Sequence, residues 1–228
     1  MKIALQKPVA VITGDIVGSG KFSGAARRRL HAVMQDIGGQ LQQTFSEAVP
    51  LAPDIYRGDA WQALVIDPAK SLRAALFYRA LLHARMESHP TDCRMAIAVD
   101  TIDFLPDERI SQGDGPAFRQ SGRLMENMPR QQRMAFTMAG QTATAASLSI
   151  VLQLVDVLAT RWSEKQALAV SGALQGWTQE SIAKQCWPEP ISQQAVAQHL
   201  ERAGWHALEK AIEFFETTVS QATATKNG

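Results

Sequence analysis

The sequence is short of several things, and each shortage removes a class of protein. Only two cysteines occur in 228 residues, Cys93 and Cys186. They stand far apart and, on the boundaries given below, in different domains, so neither a disulfide framework nor a cysteine metal cluster is expected, and a reducing cytoplasm fits. An excess of one charge is missing too: 23 Lys or Arg against 22 Asp or Glu leave +1. That balance argues against a chain built to blanket nucleic acid or an anionic membrane. No stretch reaches the roughly 18 uninterrupted apolar residues of a bilayer span; Leu148 to Leu158 comes nearest, and Ser149, Gln153 and Asp156 interrupt it. The first residues, with Lys2 and Lys7, lack the long apolar core and cleavage site of a signal peptide. No internal repeat is present, and the polar stretch after Ser220 is expected to fray.

What is there is an ordinary globular composition, 46% hydrophobic and 20% charged, in a length suited to one core domain with a smaller appendage. Pro8 to Thr13 is a short uncharged run, the pattern of a central strand buried on both faces. Ser23 is placed to cap a helix whose Leu30, Val33, Met34, Ile37, Leu41 and Phe45 recur at three-to-four spacing. Pro53 to Tyr56 and Trp61 to Ile66 read as two strands joined by the tight turn Arg57-Gly58-Asp59-Ala60. A helix from Pro68 to about Glu87, a strand from Arg94 to Ile102, an acidic turn-rich stretch from Asp103 to Asp114, a helix from Pro116 to about Met128 and a short strand from Arg133 to Met138 follow.

This order predicts a ferredoxin-like β-α-β-β-α-β domain, a four-stranded antiparallel sheet with helices on one face, over residues 1–139. A right-handed crossover makes the first and second strands parallel, with the third between them. Asp15, after the first strand, then shares a sheet edge with Asp59, in the turn between the second and third. Two carboxylates at one edge suit Mg²⁺ or Mn²⁺, since hard cations select oxygen ligands. Asp100 and Asp103 read as the end of a strand, and the five histidines show no ligand spacing. The stretch departs from a P-loop: the first glycine, Gly14, falls six positions before Gly20, and Phe22 stands where Ser or Thr must bind Mg²⁺.

G-D-I-V-G-S at Gly14, followed 44 positions later by G-D-A-W-Q at Gly58, resembles the two metal-aspartate motifs of class III nucleotidyl cyclases over residues 8 to about 138. With R-G-D-A-W-Q, D-G-P-A-F and the helical tail added, most of the chain resembles the SatD family of bacterial proteins. The cyclase resemblance implies Asp15, Asp59 and the carbonyl of Ile16 as metal ligands, in a two-metal arrangement that clamps a phosphoryl displacement. It implies Arg123 as an arginine that stabilises the transition state. Gly18, Ser19, Gly20 and Lys21, just before a helix start, form a candidate phosphate cradle. Arg119, where the cyclase pattern has asparagine, and Asp114, which has no clear cyclase equivalent, complete the candidate nucleotide contacts. Ile55 replaces the lysine that reads the purine, so the resemblance transfers no base preference.

A linker helix is expected over residues 140–162, with one apolar stripe of Leu148, Val151, Leu152, Val155 and Leu158 and another of Ile150, Leu154 and Val157. Two stripes imply two partners, the second being either the rest of the monomer or a second copy. Residues 163–228 read as an all-helical domain: Ser163 to Gln175, Thr178 to Cys186, and Ser192 to about Thr217. Trp177 to Ala183, followed by Ile191 to Val196, resembles the helix-turn-helix of sigma-factor region four. Its second helix would offer Ser192, Gln193, Gln194, Gln198 and His199 to base edges. Yet residues 141–228 hold 6 basic against 8 acidic residues, which leaves little charge for phosphates, so protein contact or dimerisation stands beside duplex DNA.

The expected protein is thus cytoplasmic, bacterial in type and free of membrane. It is foremost a SatD-like regulator whose metal and nucleotide site is coupled to a DNA-binding helix-turn-helix, with a homodimer possible in principle. The alternative is a nucleotidyl cyclase-type enzyme acting on a nucleoside triphosphate. A non-catalytic scaffold is the third reading.

Overall fold

The computed structural model describes residues 7–86, 91–105 and 109–224. It holds a five-stranded sheet in the order β2-β3-β1-β4-β5: β1 Val9–Ile16, β2 Asp54–Arg57, β3 Ala60–Val65, β4 Cys93–Asp100 and β5 Met134–Met138. β1 lies in the middle, antiparallel to β3 and β4. Its apolar residues on both faces are buried, as an uncharged central strand requires. β2 pairs antiparallel with β3, so β1 and β2 run the same way.

Helix α1, Gly24–Thr44, begins where the Ser23 side chain accepts from the Ala26 amide. It buries Leu30, Met34, Ile37 and Leu41, one face at helical period. A 3-10 turn with Pro68 in its first position leads into α2, Ser71–Arg85, which is buried almost all round. The sheet residues Ala10 and Ile12 share the main core with Leu30 and Met34 of α1 and Leu72 and Leu76 of α2. Val9 and Val11 point the other way, into a second cluster with Ala117 and Phe118 of α3, Pro116–Asn127.

Two corrections to the expected sheet follow. It is mixed rather than purely antiparallel, because β5 pairs parallel with β4. Helices also cover both faces: α3, the crossover between those parallel strands, packs on Val9 and Val11 and so lies opposite α1 and α2. Glu87 and residues 106–108 of the acidic stretch lie outside the described residues.

The C-terminal half is helical: α4 Thr142–Ala159, α5 Glu164–Leu174, α6 Gln179–Gln185, α7 Gln193–Arg202 and α8 Trp205–Ala224. Ser163, Thr178 and Ser192 cap α5, α6 and α7. The single helix expected from Ser192 to Thr217 is two, broken at Gly204, whose φ of 74° is left-handed. The stretch after Ser220 does not fray at once: α8 runs to Ala224, with Val219 buried beneath it. Leu148, Leu152, Val155 and Ala159 of α4, Val170 of α5 and Phe215 of α8 join the same apolar core as the sheet.

Candidate functional site

The site begins with a missing side chain. Gly14 pairs with Trp61 across β1 and β3, and a Cβ on residue 14 would sit 2.4 Å from the indole. Glycine lets the indole lie against β1, where it is fully buried and stacks on Tyr78 with ring centroids 4.0 Å apart. That contact seats the β2–β3 hairpin on the end of β1. Its turn, Gly58 with φ 66° and then Asp59, stands at the end of the strand that delivers Asp15.

Asp15 and Asp59 are within electrostatic reach of each other. Burial raises the Asp15 carboxyl above its ordinary value; Arg94 opposes this, the Asp59 charge adds to it, and Arg133 opposes it again. Arg94 Nη1 lies 3.8 Å from Asp15 Oδ2. The other oxygen, Asp15 Oδ1, is buried and accepts no hydrogen bond. Asp59 is held by the Ser19 hydroxyl, which donates to its Oδ2 across 40 positions of sequence. Tyr56 on β2 is close enough that, after burial and against Arg57, the Asp15 charge also raises its phenol.

An orphaned, buried carboxylate oxygen beside a second carboxylate is a donor set that fits a hard divalent cation. Among the described residues no group of three or more His, Cys, Asp or Glu could hold a metal. The chain therefore supplies two carboxylates, and a cation there would need water or phosphate oxygens to complete its shell, as Mg²⁺ commonly does.

Gly18, with φ 74°, opens a 3-10 turn over Ser19–Lys21, in which the Lys21 amide donates to the Gly18 carbonyl. Ile16 is buried and paired with Cys93 at the end of β1. Asp114 and Arg119 are not brought to this edge. Arg119 donates to Asp114 at 2.8 Å and to Asp103 at 3.1 Å, beside the end of β4. There β4 aligns with the start of β1, since Val9 pairs with Asp100 and Ile16 with Cys93. At about 3.3 Å per residue, that pair stands on the order of 20 Å from Asp15. Arg123 is exposed on α3, on the side away from Ser121, whose hydroxyl bonds to Thr13 at 2.8 Å. The structure instead brings Arg94, Arg133 and Tyr56 to Asp15. The antiparallel β1–β4 register, which sets Arg94 opposite Asp15, is the signal that could have found the first.

In the tail, Ser192, Gln193, Gln194 and Gln198 are exposed on α7. His199 is half-buried and stacks on Trp187; burial, with Lys165 and Arg202 nearby, holds its imidazole below its ordinary value.

Behind the carboxylates lies a buried ionic network. The Val17 amide donates to the Asp92 carbonyl at 2.8 Å. Asp92 accepts two bonds from Arg79, at 2.7 and 2.8 Å. The fully buried Arg79 donates onward to Asp156 and Thr160 at the end of α4, each at 2.8 Å. Burial works against the Asp92 charge, yet His83 and Arg79 hold its carboxyl well below the usual range. A cavity of about 470 Å³ opens beside Val17, walled by His83, Asp92, Arg133, Thr160 and Trp162.

No protein-family model and no curated protein matches the chain. Solved structures do. Guanylyl cyclase Cya2 is 12% identical with a TM-score of 0.41, over 61% of this chain and 78% of that one. Adenylyl cyclase CyaB from P. aeruginosa is 15% identical with a TM-score of 0.42, over 62% and 81%. The catalytic core of a rhodopsin-guanylyl cyclase, solved with ATPalphaS, is 14% identical with a TM-score of 0.43, over 61% and 81%.

Proposed function

We propose that this protein binds a nucleoside triphosphate together with Mg²⁺ or Mn²⁺ at Asp15 and Asp59, and that occupancy there is passed to its C-terminal helices. The observation that supports this most is the buried, unpartnered Asp15 Oδ1 with the Asp59 charge beside it. Asp15, Asp59 and the Ile16 carbonyl would hold the cation, which supplies charge neutralisation for a polyphosphate. The amides of Gly18, Ser19 and Gly20 and the ammonium of Lys21 offer donors to phosphate oxygens, and Arg94 and Arg133 balance the remaining negative charge. Arg119, Asp114 and Arg123 have no part in this reading.

The route outward is the chain of bonds from Val17 through Asp92 and Arg79 to Asp156. A rearrangement after Asp15 reaches α4 through charged groups that cannot be left unpaired in the interior. The exposed Ser192, Gln193, Gln194 and Gln198, with His199 behind them, are the surface through which α7 would meet duplex DNA.

Melting the protein with Mn²⁺ and each of the four ribonucleoside triphosphates tests the site. Ligand at about 100 times its Kd stabilises by about 2.7 kcal/mol, a rise of several degrees in a chain of this size. Binding without turnover supports the regulator. A new nucleotide product, abolished by Asp59→Ala, would establish the cyclase-type enzyme instead. No stabilisation by any metal and nucleotide pair would leave a scaffold.

A further inference from the structure

We propose that the outer face of α4 is a dimerisation surface that takes a second copy of this chain, packed antiparallel. This does not depend on the reading of Asp15 and Asp59.

The inner face of α4 is satisfied: Leu148, Leu152, Val155 and Ala159 are buried. The opposite face is not. Ile150 is 61% exposed, Leu154 66% and Val157 52%. With the exposed Ala143 and Ser147 they form one row, 143, 147, 150, 154, 157, at alternating steps of four and three. That spacing is the seam of a helix packed against another helix, and the small residues at its N-terminal end permit close approach. A lone exposed leucine needs no explanation, but three large exposed apolar residues in one helical row do.

Charge selects the occupant and its direction. The one charged residue of α4, Asp156, is buried and bonded to Arg79. The seam therefore carries no charge that an acidic or basic partner could read, and none that repels its own copy. The next step along the row is the exposed Arg161. A parallel copy would set Arg161 on Arg161. An antiparallel copy, with its two-fold axis at Leu154, sets Ile150 on Val157 and Arg161 beside Ser147, so the face is self-complementary, as an isologous interface must be.

The helix is also long and apolar enough to cross a membrane, with a mean hydropathy of 1.6 over Thr142–Ala159. Crossing would pull Asp156 from Arg79 and strip the inner face from the core, so a second copy suits the observations better than lipid. A seam of 18 residues is about 27 Å long. Alone it falls short of the roughly 800 Å² per partner of a standard interface, so the dimer should be concentration-dependent.

Sedimentation equilibrium of the full chain between about 1 and 200 µM tests this. The expected result is a monomer–dimer equilibrium whose Kd rises at least 50-fold, an estimate of about that order, in Leu154→Glu. Leu154→Ser should give a smaller shift in the same direction. Neither should change circular dichroism or melting of the monomer, because Leu154 is exposed. Under mild oxidation, Ile150→Cys and Val157→Cys chains mixed together should form a cross-linked pair more readily than either alone. A wild type monomeric throughout would overturn the proposal, as would a dimer indifferent to Leu154→Glu. So would a monomer that sediments with phosphatidylcholine vesicles and loses them in that variant.

Discussion

Asp15 is a carboxylate kept where its charge is disfavoured. Its raised pKa, caused first by burial, means that the folded protein binds a proton there more readily than the unfolded chain. Stability from this group is present at low pH and is lost as pH rises from its ordinary value of 3.8 through the folded value. Asp15→Asn should therefore raise the melting temperature at neutral pH while removing any stabilisation by Mn²⁺. The gain should be about 1–2 °C, small because solvent screens a partly exposed charge. A fall in melting temperature, or retained stabilisation by Mn²⁺, would count against the site. Gly14→Ala acts differently. Its methyl would meet the buried indole of Trp61 at 2.4 Å, and melting should show a loss of about 1–3 kcal/mol, the usual cost of overpacking.

Asp15 and Asp59 were legible because each follows a glycine, Asp15 in the last residues of β1 and Asp59 in the turn between β2 and β3, which strand order alone brings to one edge. Arg94, Arg133 and Tyr56 were not, because their proximity depends on residue-by-residue register and strand ends that no local pattern states. Arg119 and Asp114 misled for the converse reason: they sit in a motif-like stretch, yet an eight-residue strand carries them to the far end of the sheet.

At the scale of elements, the strands and caps followed sequence closely. Ser23, Thr178 and Ser192 each accept a hydrogen bond from an amide three residues on. The β5 pairing and the face taken by α3 were harder, since they depend on how a crossover closes rather than on periodicity. Gly204 was hidden because apolar spacing continues on both sides of it. Its left-handed φ of 74° ends α7 and starts α8 in a new direction. Gly204→Ala should cost about 1–2 kcal/mol, read by chemical denaturation as a lower midpoint at an unchanged slope. An unchanged midpoint would mean that the break is not held by that residue.

Across the whole molecule, the Asp92, Arg79 and Asp156 network joins the sheet edge to the C-terminal helices. It was illegible in the sequence, where the three residues look like ordinary surface charges on separate elements. Arg79→Met should destabilise by about 3–5 kcal/mol, because it removes the buried guanidinium that bridges two carboxylates; the melting temperature should fall by about 10 °C. Because the Asp92 pKa is depressed, its contribution is full above the ordinary value of 3.8 and is lost as pH falls below it. The penalty of Arg79→Met should therefore shrink on acidification, which a melting series from neutral to acid pH would show.

The central claim is that Asp15 and Asp59 share a cation that a nucleotide helps to bind. Equilibrium dialysis against Mn²⁺ and a non-hydrolysable nucleoside triphosphate tests it most directly, comparing the wild type with Asp15→Asn. About one nucleotide should be retained per chain with at least one Mn²⁺, and both should be lost in the variant. Equal retention by the two proteins, or none by either, would contradict it.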